Sequence, residues 1–459
     1  MTKTEIENIV NLQREYFLNG RTLSVKNRRQ YLTALKNEIV AREKDIEDAL
    51  YEDLGKSPSE SDLCEIGLTL DEISYLLKNL TKLTKVKKVK TPLSQFAAKS
   101  YRVPSPYGSV LIMSPWNYPF LLSMEPLVEA IAAGNVVLLK PSNYSPKTSL
   151  VMTEILTKVF PKELVFVVLG GRAENAALLD IKFDYIFFTG GKTVGKLVYQ
   201  KAAEFLTPVT LELGGKSPCV VDKTAKLPLA ARRIVFGKFL NAGQTCVAPD
   251  YILVHESVKD DLIKEIKKEI VRQYGDEPLK NDCFGKIITD KHFDRIVSLI
   301  EEKKVVHGGK YDKESRKIEP TVLDNVTDDD AIMKEEIFGP LLPILTYRDV
   351  GDILDRVNLN PSPLAFYVFT EDKMLADGLV KTCRYGGGCV NDVVIHLATP
   401  YMPFGGFGES GLGGYHGKYG FETFTHYKSV IDKSTKIDLN MRYQPYKESN
   451  DRLIKKFLK

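Results

Sequence analysis

The sequence predicts an α/β protein: two doubly wound parallel-sheet domains plus a small β arm for oligomerisation. Three observations lead there. From residue 108 onward, short continuous apolar runs alternate with helical stretches, the pattern of strands buried on both faces and joined by crossover helices. A second series of the same kind begins near Glu212. After Phe424 the tail alternates through Tyr427, Ser429 and Ile431, a strand suited to pairing with another subunit. The chain has 459 residues, too many for one compact core. The expected units are 1–211 (N-terminal helices and a cofactor-binding domain), 212–395 (a second α/β domain) and 396–459 (a return segment and oligomerisation tail).

Taken in order, the first eighty residues read as helices. Ile6, Ile9, Val10, Gln13 and Phe17 share one face, and Leu63, Ile66, Leu70, Ile73, Leu77 and Leu80 mark a longer amphipathic helix. No acid stands between Glu72 and Glu125, while Lys78, Lys82, Lys85, Lys87, Lys88 and Lys90 cluster. A solvated face is the favoured reading of that run, and a positive potential near an anionic partner the sharper one. Val110–Met113, Val136–Leu139, Val165–Leu169 and Tyr185–Phe188 read as strands. Gly134 reads as a helix C-cap. Ser145 and Pro146 read as cap and first residue of the next helix. In the second series Pro228–Phe239 reads as a helix, and Tyr251–Val254 and Cys389–Val394 as strands.

Composition removes several classes. Hydrophobic residues are 43% and charged residues 27%, which excludes disordered and fibrous chains. A net charge of +4 is too small for nucleic acid as the main partner. Six cysteines without regular spacing suit a reduced, cytoplasmic setting. Met1–Val10 lacks a signal-peptide core, and no apolar stretch reaches the ~18–20 residues of a membrane span. The polar end Asp451–Lys459 carries no lipidation motif, so no membrane anchor is expected. The six histidines show no zinc spacing, so no metal is expected.

Four stretches carry chemistry. Phe188-Thr189-Gly190-Gly191-Lys192-Thr193-Val194-Gly195 follows a strand and opens a helix; small residues there let backbone approach a pyrophosphate. It lacks the usual dinucleotide and P-loop spacings, so a ligand-free tight turn competes evenly. Cys246 lies in Asn241-Ala242-Gly243-Gln244-Thr245-Cys246-Val247. A free Cys is usually a small buried hydrophobe, but this loop setting favours a reactive thiol. Cys64, Cys219, Cys283, Cys383 and Cys389 lack the setting and read as structural. Glu212 enters a Gly-Gly turn between apolar residues; desolvation there would raise its pKa and suit a general base. The alternative is an exposed turn acid paired with Lys216. Asn117, in Ser114-Pro115-Trp116-Asn117-Tyr118-Pro119, stands past a strand's C-terminal end. Its amide suits an oxyanion, and a plain turn Asn is the alternative.

Together these stretches resemble the aldehyde dehydrogenase superfamily. The matching segments are Pro115–Asn117, Lys140-Pro141-Ser142, Phe188–Gly195, Glu212–Lys216, Gly243–Cys246, Glu335–Pro340 and Pro403–Gly406, in the family's order from about residue 100 to 425. The short N-terminus, Leu206–Asp222 and Gln244–Leu253 are similar to the class 3 branch, the fatty and aromatic aldehyde dehydrogenases. The resemblance implies Cys246 as nucleophile, Glu212 as general base, and Asn117 with the Cys246 amide as oxyanion hole. It places Pro115, Trp116, Lys140, Ser142, Asn143 and Gly190, Gly191, Lys192, Thr193, Val194 and Gly195 at NAD or NADP. Glu336 and Phe338 would position the nicotinamide ribose and ring, and Tyr118 and Phe404 would line the substrate channel.

The implied reaction is oxidation of a small-molecule aldehyde to an acid through a covalent Cys246 thiohemiacetal and thioester, by a homodimer. The Cys246 thiolate is the expected attacking form. An acyl-transferring or reductive relative is the first alternative; Glu212 argues against it, because those chemistries need no activated water. A silent binding protein on the same scaffold is the second; the complete set Cys246, Glu212, Asn117 and Glu336 argues against that. A nucleotide-free cysteine hydrolase lacks a His beside Cys246. At position 143 many NAD-preferring relatives carry Glu. Asn143 removes that charge, and with Lys140 nearby predicts that NADP is accepted at least as well as NAD. No arginine stands out as a phosphate clamp.

Overall fold

A computed structural model describes residues 1–458 of the chain. Its strands in chain order are β1 (Lys87–Val89), β2 (Ala98–Pro106), β3 (Ser109–Met113), β4 (Val136–Lys140), β5 (Val165–Val167), β6 (Tyr185–Thr189), β7 (Val209–Glu212), β8 (Pro218–Val221) and β9 (Tyr251–His255). They continue as β10 (Val305–His307), β11 (Tyr311–Asp312), β12 (Lys317–Ile318), β13 (Thr321–Leu323), β14 (Leu341–Tyr347), β15 (Ala365–Phe369), β16 (Gly387–Val390), β17 (Gly411–Leu412) and β18 (Thr425–Lys433).

The fold is α/β with two large parallel sheets. The first runs β17-β7-β6-β3-β4-β5, parallel except where β17 returns antiparallel to β7. The chain builds β3, β4 and β5 outward, then crosses to lay β6 on the other side of β3. Ligands of open α/β sheets bind outside the strand ends at such a switch. The second sheet runs β10-β13-β14-β9-β8-β15-β16, with only β10 antiparallel. A third sheet, β1-β2-β18, is antiparallel; β18 pairs β2 through nine residues. The alternating tail thus finds its partner within the chain, in residues 98–106.

Burial on both faces explains the apolar runs. Val110 and Ile112 enter the main core, while Leu111 and Met113 face a second cluster. The N-terminal helix Lys3–Leu18 closes that cluster with Ile6 and Val10. Its Gln13 is buried too and donates to the Val137 carbonyl (2.9 Å).

Several local expectations change. The long amphipathic helix does not start at Leu63. A π-turn, Asp62–Ile66, precedes the α-helix Gly67–Leu83. The extra residue in that turn shifts the helical phase. Leu63 is left 58% exposed, while Glu65 and Ile66 turn inward. Gly134 caps its helix in the left-handed region (φ 101°), but Ser145 makes no cap bond. Asp53 does that work, accepting from the amides of Lys147 (3.2 Å) and Thr148 (2.8 Å). The strand expected over Cys389–Val394 ends at Val390, where the Asn391 side chain exchanges hydrogen bonds with the Thr370 backbone and the chain turns away. No described helix is long and apolar enough to cross a membrane.

Candidate active site

Four loops meet at the first sheet's switch point and the neighbouring second sheet: the segments after β3, β6 and β7, and the one after the helix Leu227–Phe239. The last is the most constrained. Asn241 and Ala242 (both φ 51°) and Gly243 (φ 75°) form consecutive left-handed residues. Such backbone persists only where its surroundings hold it. Gln244 does so from within the protein: its amide donates to Asn241 and Lys286 carbonyls (3.0 Å each) and accepts from Ile288 (3.0 Å). At Gly243 a Cβ would lie 2.3 Å from the Gly339 oxygen, so only glycine fits.

That turn presents Cys246, partly exposed, to a cavity of about 120 Å³. Tyr118, Leu121, Leu122, Thr245 and Phe404 line it, and Cys64 contributes to the wall, although its sequence setting gave no hint of this. Asn117 is 3% exposed, and its Nδ2 donates to the Gln244 carbonyl (3.0 Å). One amide hydrogen is thereby held and the other is free.

Glu212 ends β7 and is 2% exposed. Neither of its carboxylate oxygens has a protein partner, nor has the hydroxyl of Thr189, its register neighbour on β6. Burial pushes the Glu212 carboxyl well above the ordinary range. The alternative of an exposed acid paired with Lys216 is overturned. Lys216 is buried, pairs with Asp250, and donates to the carbonyls of Ile332 (2.9 Å) and Glu335 (3.0 Å).

Those bonds seat the loop of Glu336. Asp250 accepts from the Ile337 amide (2.9 Å) and Arg295 donates to the Ile337 carbonyl (2.5 Å). The Glu336 carboxylate rests on Gly214, where a Cβ would lie 2.2 Å from Oε2. Burial, then the Asp250 charge, push Glu336 up to about 8, against the pull of the Gly215 amide, Lys216 and Arg295. Burial also pushes the Cys246 thiol up to about 12, with the charges of Glu336 and Glu212 adding to it. Burial and two neighbouring acids therefore disfavour the thiolate at Cys246, and a nearby proton acceptor would assist attack.

The cofactor segments fit a dinucleotide. The helix Lys192–Glu204 starts at Gly191 without a side-chain cap, and a Cβ at Gly191 would meet nothing within 4 Å. Open space before free amides at a helix N-terminus suits an anionic pyrophosphate. Gly190 and Gly195 serve packing instead: a Cβ there would lie 2.7 Å from the Phe188 ring and from the Leu213 side chain, respectively. Lys192 pairs with Glu409, while Thr193 and Val194 are exposed beside it. Trp116 packs edge-on to Phe338 (5.4 Å), and Pro115 is half-buried beside it. His292, which carried no sequence signal, packs on Trp116 (5.2 Å). Lys140 is 3% exposed and donates to the Pro141 carbonyl (2.7 Å), and burial lowers it to about 8. The Ser142 hydroxyl accepts from the Tyr144 amide (3.2 Å). Asn143 is exposed, with its amide nitrogen 3.7 Å from where a Cβ on Gly171 would sit. Arg172 follows at once, exposed and without an ion-pair partner among the described residues; sequence reading passed over it.

A doubly wound sheet with an open, uncapped helix N-terminus at its switch point, beside a thiol and two buried carboxyls, fits the class of nucleotide-dependent oxidoreductases. Residues 1–430 match the aldehyde dehydrogenase family, and the chain belongs to it. It is 48% identical over 446 residues to the 4,4'-diaponeurosporen-aldehyde dehydrogenase of Staphylococcus aureus, covering 97% of each chain. It is 42% identical over 444 residues to a mouse aldehyde dehydrogenase named dimeric and NADP-preferring, covering 96% of this chain and 98% of that one. The solved substrate-bound AldH of Staphylococcus aureus superposes with a TM-score of 0.97 at 47% identity, over 99% of each chain. The protein oxidises aldehydes with NAD or NADP as hydride acceptor.

Proposed function

We propose that Cys246 is the nucleophile, Glu212 the base that activates water, and Asn117 with the Cys246 amide the oxyanion site. The observation that carries this reading is the burial of Glu212 with both oxygens unpartnered, near the one thiol set on a strained turn beside a cavity. Sulfur attacks the aldehyde carbon, and the thiol proton passes to a carboxylate. The free Asn117 amide hydrogen and the Cys246 N–H receive the alkoxide; one such donor is worth ~2.7–4 kcal/mol of barrier. The bound nicotinamide supplies the acceptor for the hydride. Water then adds to the thioester, Glu212 takes its proton, and the acid leaves as the sulfur regains a proton.

The cavity wall supports an apolar aldehyde. Apart from Thr245, Tyr118 and the Glu125–His416 pair, its polar groups are few. Asn143 beside the exposed Arg172 supports NADP at least as well as NAD. The edges of the β1-β2-β18 sheet support a homodimer, as does a relative named dimeric. Six free cysteines support a cytoplasmic setting.

The test is steady-state formation of reduced cofactor with aliphatic and aromatic aldehydes, alongside Cys246→Ala. Rising kcat/KM with apolar chain length and no turnover in a folded, cofactor-binding Cys246→Ala protein are expected. Turnover by that variant contradicts the mechanism. Light scattering showing a monomer or a stable tetramer contradicts the dimer.

A further inference from the structure

We propose that Lys56 is a positioning residue that seats both arms of the oxyanion site; the proposal rests on the roles given above to Asn117 and Cys246. Lys56 lies outside every motif singled out in the sequence, and its side chain is fully buried. Its ammonium makes three contacts. It pairs with Glu65, itself fully buried. It donates to the backbone carbonyl of Asn117 (2.9 Å). It lies 3.9 Å from the centroid of the Tyr118 ring.

Each contact leads to one arm of the site. The Asn117 carbonyl accepts a second bond from Asn241 Nδ2 (2.7 Å), so its peptide plane is fixed by two donors and the direction of its side chain with it. The second carboxylate oxygen of Glu65 accepts from the amides of Phe120 (2.8 Å) and Leu121 (3.2 Å), holding the far end of the same loop. The Tyr118 hydroxyl shares a hydrogen bond with Thr245 (2.6 Å), the residue before Cys246. One cation therefore reaches the Asn117 arm directly and the Cys246 arm through Tyr118.

The local backbone serves the same arrangement. The π-turn Asp62–Ile66 is what rotates Glu65 inward, and such turns concentrate at functional sites. A charged pair wholly removed from water is poorly explained by stability alone, since apolar residues of the same size would usually do as well. Fixing the geometry of two loops is the use its contacts indicate.

The experiment is a double-mutant cycle with Asn117→Ala, read as kcat with a fixed aldehyde. Lys56→Met is made together with Glu65→Gln, so that neither charge is left unpaired. Cofactor titration reports that the variant is folded. A loss of about 10–100-fold in kcat is expected, the size produced by displacing or losing an oxyanion donor. On the Asn117→Ala background the same changes should cost several-fold less than in the wild type, because the arm that Lys56 contacts directly is gone and only the Cys246 arm remains to be positioned. A merely structural role predicts that the losses multiply. Multiplied losses, or no loss in the variant alone, overturn the proposal. Should the paired variant fail to bind cofactor, Glu65→Gln alone, which keeps shape and the Lys56–Asn117 bond, carries the same cycle with a smaller loss and the same two readings. If Asn117→Ala itself leaves kcat unchanged, the oxyanion assignment fails, and Lys56 loses its proposed role with it.

Discussion

Replacing Glu212 by Gln separates the two halves of the proposed reaction. The side chain is 2% exposed and neither oxygen bonds to protein, so Gln keeps the shape and breaks no contact. A positioned general base contributes about 10²–10⁴ in rate, or ~3–5 kcal/mol at ~1.4 kcal/mol per decade. No protein group bonds to this carboxyl, so no bonded neighbour can stand in for it. Hydride transfer precedes the step Glu212 serves. Stopped-flow mixing with aldehyde and NADP should give a stoichiometric burst of reduced cofactor, then a steady rate about 10²–10⁴ below wild type. Stability should move the other way. Burial raises the folded carboxyl above its ordinary 4.5. The folded state therefore keeps a proton that the unfolded chain releases. That contribution is complete below 4.5 and is lost as pH rises through the folded value, at ~1.4 kcal/mol per unit within the window. Gln does not titrate, so the variant's Tm should gain on wild type as pH rises above about 5. A uniformly slow trace without a burst, or a Tm difference that does not change with pH, refutes the reasoning.

Other consequences can be measured separately. Asn143→Glu should raise the KM for NADP about tenfold or more and leave that for NAD nearly unchanged, because a new carboxylate meets the extra phosphate; equal effects would place the preference elsewhere. With the thiol pushed up to about 12, alkylation of Cys246 by iodoacetamide without cofactor should rise steadily from neutral pH, about tenfold per unit, and a plateau below pH ~8 would contradict that burial effect. In Gly214→Ala the new Cβ would meet the Glu336 carboxylate at 2.2 Å and push it aside; kcat/KM for the cofactor should fall about 10²-fold, and unchanged kinetics would remove Glu336 from the site.

The parts of the fold that were legible in sequence are those where one physical cause acts along a short stretch. β3, β4 and β6 are buried on both faces, so their residues are apolar without a break. Glu212 shows its desolvation through Leu211 and Leu213, and Asn117 shows its place by following a strand end. What stayed hidden depends on residues far apart in the chain. Asp53, not Ser145, caps the helix from Pro146. The partner of Lys216 is Asp250, which no local pattern reveals, although Lys216 sits inside a motif that was read. The π-turn at Asp62–Ile66 looks in sequence like continuous amphipathic helix, a pattern that puts Leu63 on the apolar face and gives Glu65 no inward role. His292 and Lys56 belong to helical N- and C-terminal surroundings with no spacing of their own, and only the folded chain brings them to Trp116 and Asn117. Loop composition marks Cys246 as a reactive thiol, while the raising effect of burial and two carboxyls appears only once all three are together.

The covalent intermediate on Cys246 is the centre of this account, and mass spectrometry of Glu212→Gln tests it directly. The variant is mixed with aldehyde and oxidised cofactor, quenched in acid during the slow phase, and digested. The account predicts a mass increase equal to the acyl group on the peptide containing Cys246, present only when cofactor is included. Reduced cofactor formed with no adduct at Cys246, or an acyl group on a different residue, would contradict it.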